Sequence, residues 1–586
     1  MSAKKTDRLD PGFNTGRFLV PVIAILAYYI YPYVVAYFTT DVYALCSEHG
    51  DYIYTVDPAN PRTQCIVVQQ GYIVDLGSLP SVKSRWPAWR PLVPALPVRF
   101  IQPGSAVIPG LSDSHGHILE YGAMKQLPLE GTTSIEETVA RVREFILANP
   151  DILSNHSTPI IGGGWDHTVW PSTRWPSAAD LDADPVVRGR HVVLQSKDCH
   201  ALWVSTKALQ ASLPLPPTVD GGIIVRDHEG NPVGTLLDNA QDLLKGLPLT
   251  DQELNRRFKV AVDSALAHGI TSIHDAGLDP VSLSFFQRKA DNGTLPIRIY
   301  GMTFFNVTQD YWGNTAKLVI GENNGRFTAR SVKIFADGAL RTGGAALHDH
   351  YADNPTSHGF MRLDPQVLHE WIPKFLRDGW QVNVHAIGDR ANGIVLDAFE
   401  AALSGANVTA LRPRLEHAQL MTKADMKRLA RLGVIASIQP THAISDMWYA
   451  QDRLGPERVK GLYAFRSIID NGARITLGTD FPVEVISPFS TFYAAVTRLS
   501  PQGTSPHGPG GWFPEERLTR EEALQGMTLD PAYASFTESS LGSLEPGKRA
   551  DYVVLSQDIM TIPADQILAT KVLATAIDGV VVYGEI

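Results

Sequence analysis

Residues 107–117, Val-Ile-Pro-Gly-Leu-Ser-Asp-Ser-His-Gly-His, close an apolar run with two histidines two positions apart. Side chains on a strand repeat every two residues, so His115 and His117 leave from one face. Two neutral imidazoles aimed at one point fill a core poorly and begin a Zn2+ or Fe2+ site well. A lone His-x-His also occurs among surface and core histidines, so its meaning depends on what later strands bring beside it.

Outward from this stretch, strand-like runs alternate with amphipathic ones. Strand patterns follow at 270–275, 297–304, 331–335, 381–385, 413–417, 434–439 and 474–480. Helical patterns at 253–267, 391–404, 423–432 and 457–470 lie between them, several ending at a glycine. Eight strands with intervening helices predict an α/β chain whose main domain, residues 105–535, is a (β/α)8 TIM barrel. The distance from the first strand to the second predicts a large insertion at about 125–260, rich in tryptophan. Residues 42–104 and 536–586 read as short strands, which predicts one flanking β-sandwich built from N- and C-terminal segments.

The polar residues at the strand ends then form a set. His115 and His117 end strand one, Lys333 lies in strand four, His385 ends strand five, His417 strand six and Asp480 strand eight. In a TIM barrel these ends converge on the active site. Each residue alone has an ordinary reading, as a surface lysine, a hydrogen-bonded core histidine or a capping aspartate. Their joint order favours a common site. The insertion adds Trp165, Trp170, Trp175 and Trp203, which either wall a substrate pocket or build the insertion's own core, and His200 and Asp166, which are placed to orient a polar group. His274, at strand two, reads as a substrate-side or supporting residue.

Composition narrows the class. The chain is 44% hydrophobic with 48 Gly and 40 Pro, a globular, loop-rich profile, and its net charge of −10 gives no support to nucleic-acid binding. Residues 18–38 carry no charge and would span roughly 30 Å as a helix, which predicts a membrane signal anchor. Lys4, Lys5, Arg8 and Arg17 precede it and Asp41, Glu48 and Asp51 follow, so the positive-inside rule makes residues 1–17 a cytoplasmic tail and the catalytic domain lumenal or extracellular. A cleaved signal peptide is the rival. The sequons at Asn155, Asn292, Asn306 and Asn407 are compatible with a glycoprotein, and an oxidising compartment would allow a Cys46–Cys65 disulfide, leaving Cys199 as a small buried thiol. No sequence feature sets an oligomeric state.

Pro109-Gly-Leu-Ser-Asp-Ser-His115-Gly-His117 and Gly542-Ser-Leu-Glu-Pro-Gly-Lys-Arg-Ala-Asp551 resemble the opening and closing signatures of the metal-dependent amidohydrolase superfamily. Gly164-Trp-Asp166, His200-Ala-Leu-Trp-Val-Ser-Thr-Lys-Ala-Leu209, Val332-Lys-Ile-Phe-Ala-Asp-Gly338 and His385-Ala-Ile-Gly-Asp389 resemble its family 3 branch, which includes N-substituted formamide deformylase. The resemblance implies metal ligands at His115, His117, His385, His417 and Asp480, with Lys333 at the position where many members bridge two metals through a carboxylated lysine. It implies one or two divalent ions, Zn2+ with Fe2+ or Mn2+ as alternatives, and hydrolysis of a non-peptide C–N bond in a small amide or N-substituted formamide by a metal-activated hydroxide. Asp480 is then the catalytic proton carrier. A deaminase or cyclic-amide hydrolase, and a catalytically silent membrane-anchored binding protein, are the alternatives.

Overall fold

Eight parallel strands pair in chain order in a computed structural model that describes residues 42–86, 95–172, 174–245 and 249–586. They are β1 (Leu111–Gly116), β2 (Ile270–Leu278), β3 (Arg298–Phe304), β4 (Phe327–Phe335), β5 (Gln381–Ala386), β6 (Arg414–His417), β7 (Ile435–Ile438) and β8 (Ile475–Leu477). The chain leaving β8 closes the ring: Asp480 N donates to His115 O (2.7 Å), and His117 N donates to Phe481 O (2.8 Å). This is the expected TIM barrel. Strands covered on both faces are buried along their whole length. In β5, Val382 and Val384 join the helix-side core with Leu368, Phe375 and Phe399, while Asn383 and His385 take the alternate positions.

The outer helices include α1 (Asp251–Ala267), α2 (Pro280–Asp291), α3 (Pro365–Arg377), α4 (Asp389–Leu403), α5 (Lys423–Leu432) and α6 (Phe465–Asp470). α5 has the local chemistry of a helix at both ends. The Thr422 side chain accepts from Asp425 N, and Gly433 closes the helix at φ 67°. The single helix expected at 457–470 is instead two. One ends at Arg458, a short 3-10 turn spans Val459–Gly461, and α6 follows. The break has a tertiary cause: Tyr463, at φ 54°, donates its N–H to Gln419 O (2.8 Å) rather than continuing the helix.

The insertion folds around a five-stranded sheet, in the order Gly222–Arg226, Pro232–Asp238, Ala201–Val204, Val192–Ser196 and Ile160–Trp165. It does not reach residue 260, because α1 belongs to the barrel: Phe258, Val262 and Leu266 pack with Ile270 and Ile273 of β2.

Beside the barrel lie two further sheets. One holds Tyr72–Gly77, Cys65–Gln69, Val42–Cys46 and Val98–Phe100; the other orders Val580–Gly584, Val572–Ile577, Tyr552–Leu555, Ala106–Pro109, Ile53–Tyr54 and Arg62–Thr63. Leu45, Ile66, Val68, Val107 and Val554 share their core, and Cys46 and Cys65 form a disulfide between paired positions of adjacent strands. The apolar run 106–116 is thus divided, since Ala106–Pro109 pairs with Tyr552–Leu555 and β1 begins only at Leu111. Gly110 makes the crossing, where a Cβ would lie 2.4 Å from Thr271 Oγ1. The apolar segment 18–38, read as a transmembrane helix, lies outside the described residues; among the described residues no helix is long and apolar enough to cross a membrane.

Candidate active site

The C-terminal ends of the barrel strands open on a cavity of about 450 Å3 bordered by His115, His117, Lys333, His385, His417 and Asp480. At its base, Asp113 joins the first and last strands. Its Oδ1 accepts from His115 N (3.1 Å) and Thr479 N (3.0 Å), and its Oδ2 from Thr479 Oγ1 (2.6 Å). Burial pushes this carboxyl up to about 7 against the pull of those donors.

His115 is oriented from below. Its Nδ1 donates to Glu416 Oε2 (2.5 Å), which leaves Nε2 as the lone-pair nitrogen, 3.3 Å from Lys333 Nζ and 3.5 Å from Asp480 Oδ1. Arg414 Nε holds the other Glu416 oxygen at 2.8 Å and Arg414 Nη1 donates to His274 Nδ1 at 3.0 Å. His417 donates its Nδ1–H to Gln439 Oε1 (3.0 Å), its ring lying 4.6 Å from that of His115 and 4.5 Å from that of His385. His117 Nε2 lies 3.2 Å from Asp480 Oδ1, and His442 Nε2 3.7 Å from Asp480 Oδ2. His417 (φ 73°) and Asp480 (φ 58°) hold left-handed backbone, a conformation that persists only where the surroundings over-determine it.

Burial lowers His115, His385 and His417 well below the ordinary imidazole range, with the Lys333 cation adding to the effect, so all three are neutral. Burial alone would raise Asp480, but His117, which donates to it, holds it well below the usual carboxylate range. His117 is raised, because the Asp480 carboxylate outweighs its desolvation. Burial brings Lys333 down to about 8. Both ring nitrogens of His385 are buried with no hydrogen-bond partner among the described residues, an expensive arrangement unless a further group satisfies them. His115, His417 and Asp480 offer ligand atoms within 4.8 Å of one another. Neutral imidazoles and an ionised carboxylate in this arrangement fit a divalent transition metal.

The substrate-side expectations divide. His200 borders the cavity from the insertion, its Nδ1 donating to Asp238 Oδ1 (2.5 Å) and its ring 5.7 Å from that of His385. Asp166 is not on the wall. It caps a 3-10 turn through Thr168 N and binds Arg341 Nη1 (2.6 Å), and Arg341 is the residue that borders the cavity. Trp165 does not wall the pocket either: it is fully buried in the insertion core, stacked on Trp170, its indole N–H donating to Leu194 O (2.9 Å). The pairing register shifts at this point and Gly164 adopts φ 102°; the resulting bulge turns Trp165 off the face that Ile161 presents to the cavity. His274 sits mid-strand beneath the rim, because β2 runs on to Leu278 and it is Gly277 and Asp279 that border the cavity. Cys199, expected as a small core residue, borders the cavity instead, at φ 61°.

Glu416, Arg414, Gln439, His442 and Asp113 were not singled out by the strand-end reading. The available signal was Arg414-Leu-Glu-His417, two opposite charges inside a strand that is otherwise buried.

Residues 103–583 match the family model described as Amidohydrolase family. The chain is 31% identical to the putative amidohydrolase YtcJ of Bacillus subtilis, over 91% of this chain and 98% of that one. It is 28% identical to N-substituted formamide deformylase of Arthrobacter pascens, over 91% and 97%. A solved structure of an uncharacterized metal-dependent hydrolase from Pyrococcus horikoshii superposes with a TM-score of 0.70 at 26% identity, over 89% of this chain and 99% of that one.

Proposed function

The chain belongs to the amidohydrolase family, and on that premise we propose that it is a metal-dependent hydrolase of a non-peptide C–N bond in a small amide or N-substituted formamide. The observation that carries the reading is the meeting of three neutral, buried imidazoles with one ionised carboxylate at the mouth of the barrel. Similarity to the formamide deformylase supports the substrate class.

His115, His117, His385, His417 and Asp480 would hold the cation, Zn2+ with Fe2+ or Mn2+ as alternatives. When bound, it polarises a carbonyl and lowers the pKa of water from about 15.7 to about 7. Glu416 keeps His115 Nε2 turned to the cluster, as Gln439 fixes the ring of His417. Asp480, ionised at neutral pH, takes the proton of the attacking water and returns it to the departing nitrogen. Lys333, with its pKa near 8, reaches the neutral amine that carbamate formation requires, which is the condition for a second cation. Ile161, Val193 and Leu202 of the insertion border the same cavity and limit water around the reacting bond.

The test is metal content followed by turnover. The purified protein is expected to carry one or two equivalents of divalent metal and to hydrolyse members of a panel of N-formyl, N-acyl and cyclic amides. Replacing His115 and His117 together by Ala should strip both properties; unchanged metal content in that variant removes the site. A fully metallated wild type that hydrolyses nothing on the panel favours a binding role.

We further propose that residues 18–38 anchor the protein, with the N-terminus cytoplasmic and the catalytic domain lumenal or extracellular. The Cys46–Cys65 disulfide and the exposed sequons at Asn155, Asn292 and Asn407 support this reading. Expressed in a eukaryotic secretory system, the protein should lose mass on glycosidase treatment, and Asn407→Gln should reduce that loss. Recovery as unglycosylated cytosolic protein would defeat the proposal, and release into the medium would point to a cleaved signal peptide.

A further inference from the structure

Lys197, Arg257, Lys333, Arg341 and Arg362 border the cavity, and all but one are accounted for. Lys197 pairs with Glu130 (3.0 Å), Arg257 with Glu253 (2.8 Å), and Arg341 with Asp166 (2.6 Å) and Asp446 (3.2 Å). Lys333 stands in the ligand cluster, beside His115 Nε2. Arg362 has no carboxylate at ion-pair distance among the described residues and, unlike Lys333, stands outside the ligand cluster. Three acids are close enough to act on it without pairing: Asp238 is engaged by His200 (2.5 Å), Asp337 accepts from the backbone of Ala346, Ile387 and Gly388, and Asp242 borders the same cavity.

Arg362 is nonetheless held firmly. Its Nε donates to Asn239 Oδ1 (2.6 Å), and Asn239 Nδ2 donates back to Arg362 O (2.9 Å). Nη1 and Nη2 have no hydrogen-bond partner among the described residues. The guanidinium carbon lies 5.0 Å from the centroid of the Phe335 ring, and Lys333 Nζ lies 4.7 Å from the same centroid. The free edge of Arg362 is therefore one phenyl ring away from the ligand cluster. Burial depresses the guanidinium below its ordinary range even though Asp238, Asp242 and Asp337 act to raise it.

We propose that Arg362 receives a carboxylate of the substrate, so that the compound hydrolysed is an N-acyl amino acid or a similar amide carrying a carboxylate a few bonds from the scissile C–N bond. The two terminal nitrogens of a guanidinium form a planar fork that matches the two oxygens of a carboxylate. With Nε fixed by Asn239, that fork is oriented before the substrate arrives, which reduces the ordering cost of binding. A neutral analogue would leave the half-buried cation without a partner, and sites built this way reject such analogues. Ile161, Val193 and Leu202 on the insertion side offer an apolar wall for the rest of the molecule. The inference rests on the hydrolytic reading above and narrows its substrate.

The test compares kcat/KM of the metal-loaded full chain for N-formylglycine, N-formyl-β-alanine and N-formylphenylalanine with the values for their carboxamides. The acids should be preferred by about 10- to 150-fold, the range of a hydrogen bond to a charged group. In Arg362→Met the ratio should collapse toward one at unchanged metal content, and Arg362→Lys should recover part of it. Carboxamides hydrolysed as well as the acids by the wild type overturn the proposal while leaving the hydrolase reading intact. So does an equal loss for both classes in Arg362→Met, which marks a structural role. If no compound is hydrolysed, calorimetric titration with N-formylphenylalanine decides: saturable binding lost in Arg362→Met keeps the carboxylate site and defeats the hydrolytic reading, and no binding by the wild type defeats the site.

Discussion

Asp480 serves two demands with one carboxylate, as a ligand-type oxygen beside His115 and His117 and as a proton carrier. Asp480→Asn keeps the shape and removes the base, so kcat should fall by roughly 10²- to 10⁴-fold with KM changed much less. Metal analysis of the same sample separates lost chemistry from lost coordination; a fully metallated variant with near-native kcat would move the proton transfer to another residue. Glu416 supports the site at one remove. Glu416→Gln weakens the acceptor for His115 Nδ1–H and leaves Arg414 without its buried partner. Metal affinity should drop by about 10- to 100-fold in a chelator competition, and an unchanged affinity would show that His115 is aimed by packing alone.

At the scale of elements, the turn from β5 into α4 brings His385 to the rim, and it is crowded. A Cβ on Gly388 would lie 2.0 Å from Ala346 O, while Asp337 binds the N–H groups of Ala346 (2.9 Å), Ile387 (3.0 Å) and Gly388 (2.9 Å). Gly388→Ala must push these segments apart, at a cost of about 1–3 kcal/mol. Thermal unfolding and metal content should fall together, because His385 moves with the turn. On the outer face, α6 is tied to the helix Arg520–Gly526 by Arg466, which donates to both oxygens of Glu522 and holds that carboxyl down to about 2. The folded pKa is below the unfolded one, so this stabilisation is present above about pH 4.5 and is lost as the pH falls toward 2. Glu522→Gln should flatten that part of an acid-denaturation curve and leave the neutral limb alone. Glu522 is half-buried, its side chain 31% exposed, so screening by salt should shrink the difference only in part.

For the molecule as a whole, the flanking sheets bind the two ends of the described chain to one core, with Tyr43 Oη and Tyr552 Oη 2.8 Å apart. The Cys46–Cys65 disulfide spans a sequence separation of 19, a loop whose closure is worth about 3 kcal/mol in the chain-entropy account. Cys46→Ser should therefore lower the unfolding temperature of the sandwich while leaving metal content and turnover at moderate temperature nearly unchanged. A simultaneous loss of metal would mean that barrel and sandwich unfold as one unit.

Much of this architecture was legible in the chain because its signals are local. A strand buried on both faces reads as an apolar run, and an outer helix as a 3.6-residue stripe closed by glycine. Barrel topology then brings strand ends together, which is why residues as distant as His115 and Asp480 border one cavity. Other features were not legible, for the same physical reason. A bulge at Gly164 reverses the facing of Trp165, a backbone bond from Tyr463 to Gln419 breaks a helix, and a single glycine passes the apolar run from sandwich to barrel. The sequence by itself determined the order of strands and helices and the polar residues at their ends, because period and punctuation are properties of neighbouring residues. The tertiary structure alone decided which way those residues face, which of them Glu416 and Gln439 hold in place, and that Arg362 has no ion-pair partner, because these depend on how separate strands and loops meet in space.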